Sequence, residues 1–230
     1  MEPKVKLIEC TENSEYNITL AARVCYKSDD ESDSKWVPTE NAQLVMGGGN
    51  ITLNAPMVRI ELGPNDEKLL RKLMTNGHSS TLRFAYAHFH VSNISICAGR
   101  QLNRIAHAGQ LELSQRYVSQ ENSKFICPVE DEWFQNELQK LYNISDKFYS
   151  EAISRGFKKE EARYGKLMAN TTELHFSGNF QMFKHLFSIR LNEKVMLETR
   201  KICAEMCKIL YQKAPIVFAE DYQKVLDLGL

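Results

Sequence analysis

The sequence lacks the features of a membrane-spanning, secreted or polymer-binding protein. No apolar run approaches the roughly 20 residues that a membrane-spanning helix needs, and the start, MEPKVKLIEC, has no apolar core of a secretory signal. The 29 basic residues are balanced by 29 acidic ones, whereas proteins that bind nucleic-acid polymers carry clustered positive charge. We therefore expect a cytoplasmic protein that acts on a small molecule, with neither a membrane nor a nucleic-acid polymer as its partner.

The sequence is also poor in motifs for phosphates and metals. It has no GxGxxG fingerprint and no phosphate loop, so side chains and helix ends must hold any nucleotide. The six cysteines are scattered, and a cytosol keeps such thiols reduced. Cys203 and Cys207 are four apart on a predicted helix, but no second pair of ligands lies nearby, so we expect them to pack in the core. No metal site is predicted.

The hydrophobic pattern predicts a single α+β domain, 1–230, in which an antiparallel sheet packs with long helices. Strands are predicted at the N-terminus, in the alternating stretch 84–97 and near 167–176. The segment 30–64 contains MGGGNITLNAP and is interpreted as an insertion or a hairpin. Apolar residues recur at helical spacing in six segments, the last closed by Pro215: 16–26, 65–73, 131–155, 158–166, 179–190 and 193–213.

Two histidines stand out in the predicted strand 84–97. His88 and His90 are two apart, so they would lie on one face of it. Such a pair can ligate a metal ion, but no third ligand stands at a recognisable spacing. We therefore favour a structural or solvent-facing pair.

The segment 100–117, RQLNRIAHAGQLELSQRY, concentrates arginines and polar partners in one predicted helix and the loop after it. Arg100 and Arg104 are four apart, so a helix would place both guanidinium groups along one edge. Glu112, Ser114 and Arg116 follow. Within a short stretch these side chains can accept hydrogen bonds, donate hydrogen bonds and neutralise charge. This combination suits a phosphorylated small molecule.

The pattern RQ-x-x-R followed by E-x-S-x-RY resembles the signature of the flavin-dependent thymidylate synthases, which reads RHR, seven residues, then S. Arg104 occupies the first arginine and Ser114 the closing serine. Ile105 and Ala106 stand where the family has histidine and the second arginine.

The resemblance extends along most of the chain. VKLIECTENSEYNITLAARVCYKS is similar to the family's opening strand and helix, and LMTNGHSSTLRFAYAHFHV to its GHxSPxEH segment. EARYGKLM resembles the EARxxLP element with Arg163 at the arginine, and GNFQMFKHLFSIRL resembles NARxLxxFxxLRL with Asn179 and Arg190 in step. Ordered matches at constant spacing are far more specific than any one of them.

The resemblance implies one-carbon transfer from methylenetetrahydrofolate to C5 of deoxyuridylate, with FAD as cofactor and NADPH as reductant. It also implies a homotetramer with sites at subunit junctions, and the helices around Phe134 and Met182 are apolar enough to pack on partners. Arg190 matches the arginine thought to polarise the uracil ring, which makes it the catalytic candidate. The positions that hold deoxyuridylate in the family are here Gln101, Arg104, Glu112, Ser114, Gln115, Arg116, Arg163 and Arg190.

Taken singly, these arginines have a simpler explanation, because surface arginines are usually solvated or paired with a neighbouring acid. Arg163, for example, could pair with Glu160. The ordered set favours the substrate role. Ser114 is not interpreted as a nucleophile, since no histidine stands at a supporting position.

The cofactor half of the family pattern is altered. The resemblance assigns cofactor contacts to His78, Ser80, Asn179 and His185, with His107 able to compensate for lost donors. Ile105, Ala106 and Gln181 replace family donors, which should weaken FAD binding. Three interpretations stay open: a divergent flavin-dependent thymidylate synthase, a flavin-free enzyme that makes a 5-hydroxymethyl pyrimidine nucleotide, or a catalytically silent nucleotide-binding homologue.

Overall fold

The computed structural model describes residues 2–38, 44–47, 50–53 and 58–230 and has the predicted α+β architecture. A four-stranded antiparallel sheet in the order β1-β6-β8-β7 forms its centre. The elements follow one another as β1 (Lys4–Cys10), α1 (Ser14–Tyr26), β2 (Lys35–Pro38), β3 (Leu44–Gly47), β4 (Asn50–Leu53), β5 (Val58–Glu61), α2 (Pro64–Thr75), β6 (Tyr86–Ser95), α3 (Ile96–Leu102), β7 (Gly109–Glu112), α4 (Glu132–Ser154), α5 (Lys159–Ala162), β8 (Thr171–Asn179), α6 (Phe180–Arg190), α7 (Leu197–Lys213) and α8 (Pro215–Asp227).

The sheet separates the core from an open polar face. Along β6 the buried residues alternate with partly exposed ones, and Phe89 lies opposite Phe176 of β8 on the buried side. Helices α6 and α7 cover that side, and Phe183 of α6 packs edge-on against Phe89 and Phe176. Cys203 and Cys207 lie in this core as free thiols, as predicted. The alternation places the polar side chains of β6 and β8 together on the opposite face.

The predicted helices are largely confirmed, with two differences near the C-terminal half. The segment 158–166 forms only the short α5 followed by a 3-10 turn over Arg163–Gly165. Helix α8 was not predicted, because Pro215 was taken only as the end of the preceding helix. Proline is equally suited to the first turn of a helix, where its missing N–H would have no partner, and here it begins α8.

The prediction that Arg100 and Arg104 share a helix is wrong. Helix α3 ends at Leu102, and Arg104 lies in the following turn. Ile105 explains the early end, because its side chain is buried in the main core and the chain must turn inward to place it there. The sequence also missed strand β7, which pairs with the end of β8.

The segment 30–64 contains antiparallel strand pairs, as the hairpin interpretation predicts: β2 pairs with β5, and β3 with β4. Parts of this segment, 39–43, 48–49 and 54–57, lie outside the described residues. Asp66 of α2 links the start of this segment to α1. Its carboxylate accepts hydrogen bonds from Arg23 of α1 and from Ser32 and Ser34 of the segment. Within the described ranges, no helix is long and apolar enough to cross a membrane.

Candidate functional site

Arg190 and Gln101 meet where the C-terminal end of α6 lies beside α3. Nη2 of Arg190 donates to the backbone carbonyl of Gln101 at 2.8 Å, which fixes the direction of the guanidinium group. Nε of Arg190 is buried and has no hydrogen-bond partner among the described residues. An unpaired buried N–H costs roughly 1–3 kcal/mol. The arrangement therefore holds a cation whose buried Nε donor is unused.

Glu112, at the end of β7, is held against the same helix. Its carboxylate accepts from Thr172 Oγ1 at 3.1 Å and from Asn103 Nδ2 at 3.3 Å. Its Oε1 lies so close to Gly99 that a Cβ there would stand 3.2 Å from it. Glu112 therefore contacts α3 at Gly99, and Arg190 contacts the same helix at Gln101.

Arg116 and Ser114 form a second group beside α5. Nε of Arg116 lies 2.5 Å from Glu160 Oε2, and Ser114 Oγ accepts from the Arg116 backbone N–H at 3.3 Å. Glu160 therefore pairs with Arg116, and the alternative in which it pairs with Arg163 is wrong. Arg163 follows α5 and is exposed.

Two other predicted substrate residues have no role in these contacts. Arg104 is exposed in the turn after α3, and Gln115 is half-buried between Ser114 and Arg116. Arg104 lies in the segment between α3 and β7, whereas Gln115 lies within the second group.

A cavity of about 930 Å³ lies at the N-terminal end of α6 and brings together three predicted cofactor residues, His107, Asn179 and His185. Asn179 caps the helix, since its Oδ1 accepts from Met182 N at 2.9 Å. Ala106 also lines the cavity. His107 adopts a left-handed backbone with φ of 64° beside it.

Arg83 and Gln181 form a polar wall of this cavity. Arg83 Nε donates to Gln181 Oε1 at 2.7 Å, and Gln181 Nε2 donates to Ser79 Oγ at 3.0 Å. Gln181, which replaces the family arginine, thus holds an arginine from another segment. Arg83 brings a guanidinium group to the cavity in its place.

The far wall comes from α8 and could not be anticipated, because that helix was not predicted. Lys184 of α6 forms an ion pair with Asp221 at 2.6 Å, and Asp221 is 1% exposed. Glu220 and Lys224 line the cavity beside them. Charge of both signs therefore stands opposite the histidines.

The remaining cofactor candidates lie elsewhere. His78 lines a different cavity of about 740 Å³, beside Arg23, Lys68 and Lys72. Ser80 is exposed, and its neighbour Ser79 makes the contact with Gln181. In the described part of the chain, no three His, Cys, Asp or Glu side chains are placed to hold a metal ion.

Cys203 lies close to Arg190 but is not a nucleophile. Burial raises the pKa of its thiol to about 12, even though the nearby charge of Arg190 acts in the opposite direction. A thiol in that state is an inert core residue.

The fold and these groups define an α+β protein with an arginine fixed at the C-terminal end of α6 and a cavity of about 930 Å³ at the N-terminal end of the same helix. The family model described as thymidylate synthase complementing protein matches residues 6–216, and the chain belongs to this family. It is 27% identical over 169 residues to the flavin-dependent thymidylate synthases of Mycobacterium avium and Mycobacterium tuberculosis, covering 66% of this chain and 68% of each relative. The Mycobacterium marinum enzyme is 28% identical over 172 residues.

Proposed function

We propose that the protein binds deoxyuridylate and transfers a one-carbon unit from methylenetetrahydrofolate to C5 of its uracil ring. The relatives named flavin-dependent thymidylate synthase support this reaction type. The observation that carries the proposal is Arg190, which Gln101 fixes in place and whose buried Nε has no partner within the described chain. Arg190 as a whole is only half-buried, so a ligand acceptor can approach its other N–H groups.

The chemistry requires an oriented and polarised pyrimidine, because uracil C5 is a weak nucleophile. Arg190 supplies a fixed positive charge toward which electron density in the ring can shift, which favours attack by C5 on the methylene donor. Arg104, Arg116 and Arg163 supply charge for the phosphate, and Ser114 and Gln115 supply neutral partners. Glu112 is already held by Thr172 and Asn103, so it is positioned to accept from the nucleotide.

The cavity at the N-terminal end of α6 supports a flavin site in this proposal. Its volume of about 930 Å³ is within the range of small-molecule sites. His107, Asn179, His185 and Arg83 are donors on its wall, and Arg83 offers the charge that Ala106 and Gln181 have lost. FAD bound there would carry the hydride that NADPH supplies for a methyl product.

Calorimetry with deoxyuridylate tests the substrate assignment. Arg190→Ala or Arg104→Ala should weaken binding by more than ~1.5 kcal/mol, about tenfold, because each removes a charge-assisted hydrogen bond. Arg71→Ala is the matched control, since Arg71 is exposed on α2 and pairs with Glu67 of the same helix. Equal affinity in wild type and both site variants would contradict the proposal.

A second candidate function is flavin-free hydroxymethylation of the same nucleotide. It is favoured by Ile105, which is buried in the core, and by Ala106, because neither can donate to a cofactor. The visible spectrum of the purified protein separates the two, since a bound flavin absorbs blue light. Product analysis with methylenetetrahydrofolate then distinguishes a methyl from a hydroxymethyl product, and absence of any 5-substituted nucleotide would leave a silent binder.

A further inference from the structure

A small second core lies between α4 and α5, apart from the main one. Tyr149 of α4 is completely buried there and packs with Ala152 of the same helix and Ala162 of α5. Arg163 directly follows Ala162 and begins the 3-10 turn after α5. The position of this arginine therefore depends on the packing of the second core.

Tyr149 also holds the loop that follows β7. Residues 113–124, called the substrate loop below, carry Ser114 and Arg116. The Tyr149 hydroxyl accepts a hydrogen bond from the backbone N–H of Gln120 at 3.1 Å, and Gln120 is buried. Because a buried backbone N–H needs a partner, this hydrogen bond fixes the loop at that point.

Helix α5 holds the substrate loop at a second backbone group. Lys159 Nζ donates to the carbonyl of Tyr117 at 2.9 Å. The next residue, Glu160, forms the ion pair with Arg116 described above. Since α5 packs on Tyr149 through the second core, both attachments join the loop to the same pair of helices, α4 and α5.

The far end of the substrate loop is held at Ser123. Its Oγ accepts from Asn170 Nδ2 at 2.7 Å and from Lys166 Nζ at 3.4 Å. The Lys166 side chain is 1% exposed, and its Nζ lies 2.6 Å from Asp146 and 4.7 Å from the centre of the Tyr149 ring. A carboxylate and an aromatic face thus fix this buried ammonium group, and the ammonium group in turn supports the loop.

We propose that Tyr149 and Lys159 are positioning residues for the phosphate of the nucleotide. This role rests on the proposed function, in which Arg116 and Arg163 supply charge for that phosphate. Both residues act through the substrate loop and α5 and not on the nucleotide itself. The Arg116 side chain is 59% exposed, so the attachments of its loop, and not its own burial, keep it in place. A loop that is already ordered loses less conformational entropy when the ligand binds.

The test is calorimetry of the full-length chain with deoxyuridylate. Tyr149→Phe keeps the ring in the second core but removes the acceptor of the Gln120 N–H, and it should weaken binding about tenfold. Lys159→Met removes the attachment at the other backbone group and should weaken binding about threefold. Tyr211→Phe is the matched control, because it removes a hydroxyl from α7 and keeps the ring stacked 4.2 Å from Tyr222, so affinity should not change.

A double-mutant cycle separates positioning from a general loss of structure. In the Arg116→Ala background, Tyr149→Phe should weaken binding by only about twofold, since the loop no longer carries the arginine that it orients. In the Arg190→Ala background the loss should stay about tenfold, because Arg190 is held by Gln101 of α3 and not by the substrate loop. Equal losses in the two backgrounds would overturn the positioning role.

Unchanged affinity in both Tyr149→Phe and Lys159→Met, with a wild type that binds deoxyuridylate, would also overturn the positioning role and leave the proposed function standing. A wild type that does not bind deoxyuridylate would overturn the proposed function, and this role with it. If circular dichroism shows that Tyr149→Phe is unfolded, the same cycle is measured with Lys159→Met, which changes a half-buried side chain of α5.

Discussion

At the scale of single residues, Ile105 and Ala106 are neighbours with opposite roles. Ile105 is 5% exposed and belongs to the main core, whereas Ala106 is exposed and lines the cavity. The two departures from the family motif therefore have different consequences. Restoring a polar residue at 105 would bury it, but restoring one at 106 would extend a side chain into the cavity.

Ala106→Arg alone should raise FAD affinity severalfold, because it returns a charged donor to the cavity wall. Ile105→His should instead destabilise the fold by about 1–3 kcal/mol, since its imidazole would lack partners in the core. Flavin fluorescence titration and urea unfolding measure the two effects. Ser154→Arg, which adds the same charge at an exposed position on α4, is the control for nonspecific attraction. FAD affinity that is the same in Ala106→Arg and in the control would refute the assignment of the cavity.

At the scale of elements, Asp66 fastens the segment before β2 to the body of the protein. Its carboxylate is fully buried and pairs with Arg23, whose side chain is 3% exposed. Burial acts to raise the pKa of Asp66, but hydrogen bonds from Ser32, Ser34 and Arg23, together with the charge of Arg23, outweigh it and lower the pKa below 3.8. The carboxylate is therefore ionised and stabilising at neutral pH.

Asp66→Asn should cost about 3–5 kcal/mol of unfolding free energy at neutral pH, because it leaves the buried Arg23 without its countercharge. Since the folded pKa is lower than the unfolded one, this stabilisation is present above the ordinary carboxyl value and is lost as pH falls below it. The difference between wild type and variant should accordingly shrink in urea titrations near pH 3. Glu67→Gln, at an exposed pair with Arg71, should change stability by less than about 0.5 kcal/mol. A pH-independent difference would contradict the role of the charge.

At the scale of the whole molecule, part of the apolar surface that remains exposed forms a stripe on α4. Leu141, Ile144 and Phe148 are each more than half exposed, at 54%, 67% and 52%. They recur at helical spacing and form one stripe. Met182 itself is 4% exposed and belongs to the core of its own chain, so the expectation that its helix packs on partners stays a prediction for the exposed side of that helix.

We predict a homotetramer that uses this stripe, since an exposed apolar surface of this kind is typical of a subunit interface. Ile144→Glu should shift the protein toward smaller species, because it places a charge within the stripe. Asn143→Glu adds the same charge one position away, on a different side of the helix, and should preserve the assembly. Light scattering at micromolar concentration measures the mass, and a monomeric wild type would disprove the prediction.

The chain's local chemistry was enough to predict most helices and the strand of His88 and His90. Hydrophobic residues repeat every 3.6 residues in a helix and every 2 residues in a strand. These repeats are local properties of the sequence and do not depend on the tertiary structure. Helix α8 and strand β7 were missed because proline signals both ends of helices, and a strand of four residues has almost no periodic signal.

Contacts between distant segments were decided only by the tertiary structure. The end of α3 depends on where Ile105 is buried, and the direction of Arg190 depends on the carbonyl of Gln101. His175 reaches His88 only through the pairing of β6 with β8. Each depends on which segments pack together, and this is decided by the burial of all the apolar side chains of the core together. No spacing within the sequence encodes it.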